Sequence, residues 1–156
     1  MTLSEIPTSV GIFDRIEPMH SKTILWLGFW LAVLLLVLHE AGIVFYFYWL
    51  YWWYDVLVHW VAGLTAGFST YWVLWCSGWF FSRQAARLEL VMALVVTPML
   101  IVAVGWEVFE YVYNIADPLE GYALDVTNDI VLGCCGAALA VLIATRKGNH
   151  SSINSL

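Results

Sequence analysis

The stretch TILWLGFWLAVLLLVL, at residues 23–38, contains no charged side chain and no proline. A helix that crosses a bilayer needs about 20 predominantly apolar residues in succession, and this run continues into an aromatic segment that ends near Leu50. The run is too long for the apolar part of a secretory signal peptide, and acidic residues precede it. We therefore predict a first transmembrane span at residues 23–50, retained in the mature protein, with tilt or a break near Gly42.

The composition of the whole chain supports the same class, because 62% of its 156 residues are hydrophobic and only 12% are charged. The length leaves room for several spans but not for a separate soluble domain of ordinary size. Further apolar runs, punctuated by short loops, predict three more spans at residues 55–81, 88–113 and 125–145. We predict one transmembrane domain at 23–147, preceded by an N-terminal segment at 1–22 and followed by a disordered tail at 148–156.

The basic residues indicate how this domain lies in the membrane. All six fall on one side of the predicted spans: Arg15, Lys22, Arg83, Arg87, Arg146 and Lys147. The positive-inside rule makes that side cytoplasmic. The fold class predicted from the sequence is therefore all-α, an integral membrane four-helix bundle with both termini cytoplasmic and the loop from Asp117 to Glu120 outside.

Ionisable residues inside the spans need an explanation, because each charge at the bilayer centre costs about 2.5–3.5 kcal/mol even on a lenient scale. Three helices each carry a pair spaced three or four residues apart, so that both members share one helix face. Given the predicted topology, all six lie within roughly 10 Å of the outer boundary. We predict that they form a metal site: Asp55, His59, Glu107, Glu110, Asp125 and Asp129.

Plainer interpretations remain open for several of these residues. Asp55 and Asp125 stand at helix starts, where a carboxylate caps free N–H groups, and Glu110 can reach interfacial water. His59, Glu107 and Asp129 are deeper and harder to explain in that way. Of two further residues, His39 and Glu40, the sequence allows either a local packing pair or the floor of the same site.

Small residues continue the polar stripes along two of the predicted helices. Gly63 and Gly67 follow His59 at four-residue steps, and Gly133 and Ala137 follow Asp129 in the same way. Such faces allow helices to approach closely, either within one bundle or in a dimer. The three cysteines lie in apolar runs without metal-site spacing, which favours a packing role.

Three segments in order carry a resemblance to a known family: YDVLVHWVAGLTAGF at 54–68, GWEVFEY at 105–111 and LDVTNDIVLGCCGA at 124–137. They resemble the YjdF-like family of uncharacterised bacterial inner-membrane proteins, which is distantly similar to VanZ-like membrane proteins. The resemblance implies a multi-pass protein of a bacterial-type inner, or plasma, membrane whose acid and histidine residues form one constellation. The chain lacks the longer insertion that such proteins often carry before the last helix.

For function, the sequence favours a divalent metal ion of unknown identity, bound by the six residues at the outer face, since carboxylates and imidazole are hard or borderline ligands. A bound water would then be acidified and attack an ester of a lipid-linked substrate, which would make the protein a metal-dependent hydrolase. The alternatives are a proton or cation transport component and an accessory subunit of a larger membrane complex. The bilayer is the predicted partner, other subunits or a homo-oligomer stay open, and nucleic acid is not expected without a basic patch.

Overall fold

A computed structural model describes residues 19–81, 87–113 and 121–146, which are helical over most of their length. The helices are α1 (Ser21–Val44), the single turn α2 (Phe47–Leu50), α3 (Trp52–Tyr71), α4 (Leu88–Tyr113) and α5 (Tyr122–Ala144). A π-helical turn, Trp72–Cys76, continues α3. The basic residues Arg15, Arg83 and Lys147, the loop residues Asp117 and Glu120 and the predicted tail lie outside the described residues.

Within the described ranges, three helices are long and apolar enough to cross a membrane: α1, α4 and α5. The sequence predicts four such spans, and α3 is the one that differs. α3 packs against α1, α4 and α5, so much of its surface meets protein and can be less apolar than that of a helix surrounded by lipid. The all-helical class is confirmed, whereas a four-span bundle with cytoplasmic termini stays a prediction.

The predicted first span, 23–50, is divided in the structure. α1 ends at Val44, and Tyr46 adopts a left-handed conformation with a φ of 60°. A non-glycine residue in this region marks a sharp local turn, and α2 follows directly. The turn brings the aromatic segment back toward α1, where the Tyr54 hydroxyl donates a 2.6 Å hydrogen bond to the Leu38 carbonyl.

α3 and α5 run side by side in a parallel register set by small residues. A side-chain Cβ at Gly63 would collide with the backbone of Gly133, and one at Gly67 would lie 2.8 Å from the Cα of Ala137. The two pairs have the same sequence offset and are four residues apart. One face of α3 therefore lies against one face of α5 over successive helical turns. The GxxxG pattern therefore serves packing inside the chain.

Most of the apolar core lies toward the end of the bundle away from the polar residues. It contains Ile24 near the start of α1, Val91 near the start of α4, and Ala140 and Ala144 near the end of α5. At that end the Met19 amide donates a 3.0 Å hydrogen bond to the Ala144 carbonyl, so the start of α1 lies beside the end of α5. The other end of the bundle is left for the polar side chains.

Outward-facing side chains on α1 and α4 are largely apolar. Trp30 on α1 is 61% exposed and Ile101 on α4 is 67% exposed, and the neighbouring helical turns carry similar residues. A soluble monomer rarely exposes an apolar surface of this extent. In a bilayer the same surface contacts lipid tails, while the helices satisfy their own backbone groups.

Candidate metal centre

The parallel seam between α3 and α5 positions the central residues of the site. One helical turn before the contact of Gly63 with Gly133 stand His59 and Asp129. Because the helices approach closely at the glycines, the two longer side chains one turn earlier meet across the same interface. Asp55, one turn before His59 on α3, reaches the same place.

Three side chains converge there. The Nε2 atom of His59 lies 3.4 Å from Oδ1 of Asp55 and 3.8 Å from Oδ2 of Asp129. One donor atom from each residue lies within 4.8 Å of the other two. Ligand atoms about 2.0–2.2 Å from a shared ion are roughly 3 to 3.5 Å apart. A small contraction would therefore bring this triad, Asp55, His59 and Asp129, to the spacing that a metal ion requires.

The triad is shielded from the surroundings. Asp129 is only 3% exposed and His59 9% exposed, whereas Asp55 is half-buried. Two carboxylates close together and away from water repel each other, and one imidazole offsets this only in part. The arrangement is chemically suited to a bound cation.

Glu107 adds a further buried carboxylate from α4. Its side chain is 6% exposed, and its Oε1 atom has no hydrogen-bond partner within the described part of the chain. Its charge interacts with those of His59, Asp55 and Glu110. A buried carboxylate oxygen without a partner is costly, so this atom is a candidate for binding water or for acting on a ligand beside the triad.

The two remaining predicted residues lie at the edge of the site. Glu110 accepts a 2.8 Å hydrogen bond from the indole Nε1 of Trp106, one turn away on α4. Glu110 and Asp125 both line a cavity that the triad also lines. The structure thus brings five of the six predicted residues to one cavity wall and buries the sixth, Glu107, next to them.

The cavity has a volume of about 780 Å³ and lies between α1 and α4, with α3 forming a further wall. Its acidic end contains the triad residues together with Glu110, Asp125 and Asn128. Most of its remaining lining is apolar or aromatic and includes Leu36 on α1, Ala62 on α3 and Ala103 on α4. Among its described lining residues there is no lysine or arginine.

His39 and Glu40 have different positions. His39 lines the cavity, its Nδ1 atom lies 3.0 Å from the Tyr48 hydroxyl, and its ring makes an edge contact with the Trp106 ring. Glu40 is exposed and does not line the cavity. His39 thus belongs to a side wall of the cavity, and the suggested floor of His39 and Glu40 is not formed.

Sequence reasoning did not single out Tyr48 and Trp106. Trp106 precedes Glu107 and stands four residues before Glu110, a spacing that places an indole N–H within reach of the carboxylate. That signal was available in the sequence. The position of Tyr48 depends on the left-handed turn at Tyr46 and carried no comparable signal.

The helices and the polar site together define a class, the multi-pass membrane protein with a polar cluster near one end of its helices. The chain belongs to the family described as "Predicted membrane protein (DUF2238)", whose model matches residues 8–150. The resemblance to the YjdF-like family is thereby confirmed, and the likeness to VanZ-like proteins stays a resemblance. Neither a curated protein nor a solved structure matches the chain.

Proposed function

We propose that the protein binds one divalent metal ion through Asp55, His59 and Asp129, at the acidic end of a cavity that opens to the bilayer. The observation that carries the proposal is the convergence of three donor atoms within 4.8 Å, two of them on nearly inaccessible side chains. Two carboxylates and one imidazole suit zinc, iron or manganese better than calcium or a copper(I) ion. Glu107 and Asp125 lie beside the triad and orient its ligands without taking coordination positions.

Three protein ligands leave coordination positions open for water and substrate, as in catalytic rather than structural metal sites. We therefore favour hydrolysis of an ester or phosphoester in a lipid-linked substrate. Water would add its hydroxyl to the carbonyl carbon or phosphorus, and the bond to the leaving oxygen would break. Glu107 would accept the proton from water and return it to the leaving oxygen, which is general acid and base catalysis by a buried carboxylate.

The distribution of polar residues favours this role over transport. A transport path needs polar groups on both sides of the membrane. The described acidic lining residues are grouped at one end of the cavity, and most of the core toward the other end of the bundle is apolar. An accessory role would leave the triad without a ligand, which the metal measurement below would detect.

Metal analysis of protein purified in detergent tests the proposal. Wild-type protein should hold close to one equivalent of a divalent metal after exposure to Mn²⁺, Fe²⁺ or Zn²⁺ and removal of excess ion. Asp129→Asn, which keeps the side-chain size, should lower the metal content at least about tenfold. Glu40→Gln is the matched control, since Glu40 is exposed and does not line the cavity, and it should keep the metal. Folded wild-type protein that remains metal-free would overturn the proposal.

We also propose that the triad lies near the outer face, with both termini in the cytoplasm. The described basic residues Lys22, Arg87 and Arg146 support this, since they stand at the helix ends opposite the triad. A cysteine placed at position 120, with the native cysteines replaced by alanine, should react with an impermeant thiol reagent added outside intact cells. Labelling only after the membrane is opened would reverse the orientation but leave the metal proposal intact.

A further inference from the structure

The cavity described above is open along one side. Leu36 of α1 and Val102 of α4 both line it, yet they are 60% and 63% exposed. Residues that line a cavity and are also exposed mark its mouth, and these two lie on helices with apolar outer surfaces. We name this opening, flanked by Leu36 and Val102, the lateral cleft; in the membrane it faces lipid chains.

The two ends of the lateral cleft differ in chemistry. Next to Leu36 and Val102 the walls are aliphatic, with Ala62 and Ala103 leaving room between the helices. Toward the acidic end they carry the triad and Glu110. A volume of about 780 Å³ is within the range of about 300–1,000 Å³ typical of small-molecule sites. The matching ligand is an amphiphile with an apolar chain and a polar head.

The charges narrow the choice of head group. The described lining contains several carboxylates and no lysine or arginine, so a purely anionic head would be repelled even after one divalent ion neutralised Asp55 and Asp129. Glu110 and Asp125 would still present negative charge. A head with a phosphate and an ammonium group fits both features, because the phosphate can bind the metal and the ammonium can pair with Glu110.

We propose that the lateral cleft binds an aminophospholipid of the phosphatidylethanolamine type. One acyl chain lies between α1 and α4 against Leu36 and Val102, and the ammonium group pairs with Glu110. The phosphate binds the metal of the triad, and this contact alone rests on the proposed function. The aminophospholipid is then the substrate class of that function, because its ester bonds lie between the chain and the head.

Competitive lipid retention tests this proposal. The purified protein is incorporated into nanodiscs of equal phosphatidylethanolamine and phosphatidylglycerol and extracted into mild detergent, and the lipids that remain bound are counted by native mass spectrometry. Wild-type protein should retain about one phosphatidylethanolamine, preferred about tenfold over phosphatidylglycerol. Leu36→Trp should lower this retention about tenfold by filling the mouth of the cleft. Leu34→Trp, on the same helix but outside the cavity lining, should retain the lipid.

A second variant tests the head-group contact. Glu110→Gln should reduce the preference for phosphatidylethanolamine severalfold while the acyl-chain site stays open. The proposal would be overturned if the wild type and Leu36→Trp both retained the two lipids in equal amounts. A preference of the wild type for phosphatidylglycerol would also overturn it.

Metal content measured in the same samples separates the two proposals. Metal without selective lipid would reject the lipid site and leave the metal site standing. Selective lipid without metal would reject the metal site and leave the acyl-chain and ammonium contacts supported.

Discussion

The seam between α3 and α5 and the cleft between α1 and α4 are built in opposite ways. At the seam, Gly63 and Gly133 bring two backbones into contact, and a methyl group added at Gly63 would collide with the Gly133 backbone. At the cleft, α1 and α4 both pack against α3 but leave a cavity of about 780 Å³ between them. Tight packing holds the triad in place, and the open space beside it admits a ligand. The following predictions test this contrast in order of decreasing effect.

The largest effect is expected at the seam. Gly63→Ala should lower the free energy of unfolding by about 3 kcal/mol, because the new Cβ meets the Gly133 backbone, which has no flexible end to move. The metal content should fall with it as His59 and Asp129 separate. Unfolding followed by tryptophan fluorescence in detergent, together with metal analysis, measures both.

Gly105→Ala is the matched control for that substitution. Apart from its chain neighbours and the nearby backbone of its own helix, no described atom lies within 4 Å of the position of its Cβ. A helical alanine is favoured over glycine by up to about 1 kcal/mol. It should therefore be neutral or stabilising. Equal effects of Gly63→Ala and Gly105→Ala would mean that the seam is not tightly packed and does not position the triad.

The second effect is expected for Glu107, the buried carboxylate of α4 beside the triad. Glu107→Gln should weaken metal affinity by about tenfold, since it removes a negative charge beside the ion and keeps the size. In metal-free protein the same change should stabilise the fold, because a buried carboxylate with one unpaired oxygen becomes a neutral amide. Metal titration and thermal unfolding of the metal-free protein give the two values.

Glu89→Gln provides the comparison on the same helix, at its exposed first turn away from the site. Neither value should change there. If Glu107→Gln stabilises the protein without altering metal affinity, proton uptake rather than a cation balances the buried charge.

A third, smaller effect separates the rigid contact of Gly63 with α5 from the adjustable contact of Gly133 with Met99 on α4. A Cβ at Gly133 would lie 2.7 Å from the terminal methyl of Met99, the flexible end of a side chain. Gly133→Ala should therefore cost about 1 kcal/mol or less, because Met99 can change rotamer. A loss as large as that of Gly63→Ala would show that Met99 is fixed. Replacing Met99 by leucine in the Gly133→Ala background would then be expected to restore stability.

The sequence predicted the helical class and the grouping of acidic residues because both follow from local patterns. Apolar runs define membrane helices through length and hydropathy alone, and four-residue spacing placed Asp55 beside His59. The contact of His59 with Asp129 was expected only as a consequence of topology. That contact requires the parallel seam. The small residues of the seam are visible in the sequence, but the sequence leaves open whether they pack against another helix of the same chain or against another copy.

Other features depend on how each helix is rotated, which hydropathy does not determine for a helix that is apolar all round. Glu40 and His39 are adjacent in sequence, yet one is exposed and the other lines the cavity. The lateral cleft arises because α1 and α4 share α3 as a packing partner. No pattern within either helix predicts such a gap.

The smallest effect is expected at the edge of the cleft, for Trp106→Phe. Phenylalanine keeps an aromatic ring near His39 but removes the indole N–H that donates to Glu110. Because the bond is near the surface, its loss should lower stability by about 1 kcal/mol or less. Metal content should be unchanged, since Trp106 does not belong to the triad. The preference for phosphatidylethanolamine should fall about two- to threefold, because an unanchored Glu110 carboxylate loses orientation toward the ammonium group.

Trp52→Phe is a suitable comparison, as Trp52 also lines the cavity but is not the donor to Glu110. A similar loss of preference in both variants would assign the effect to the aromatic lining of the cleft, and a preference lost only in Trp106→Phe would assign it to the orientation of Glu110.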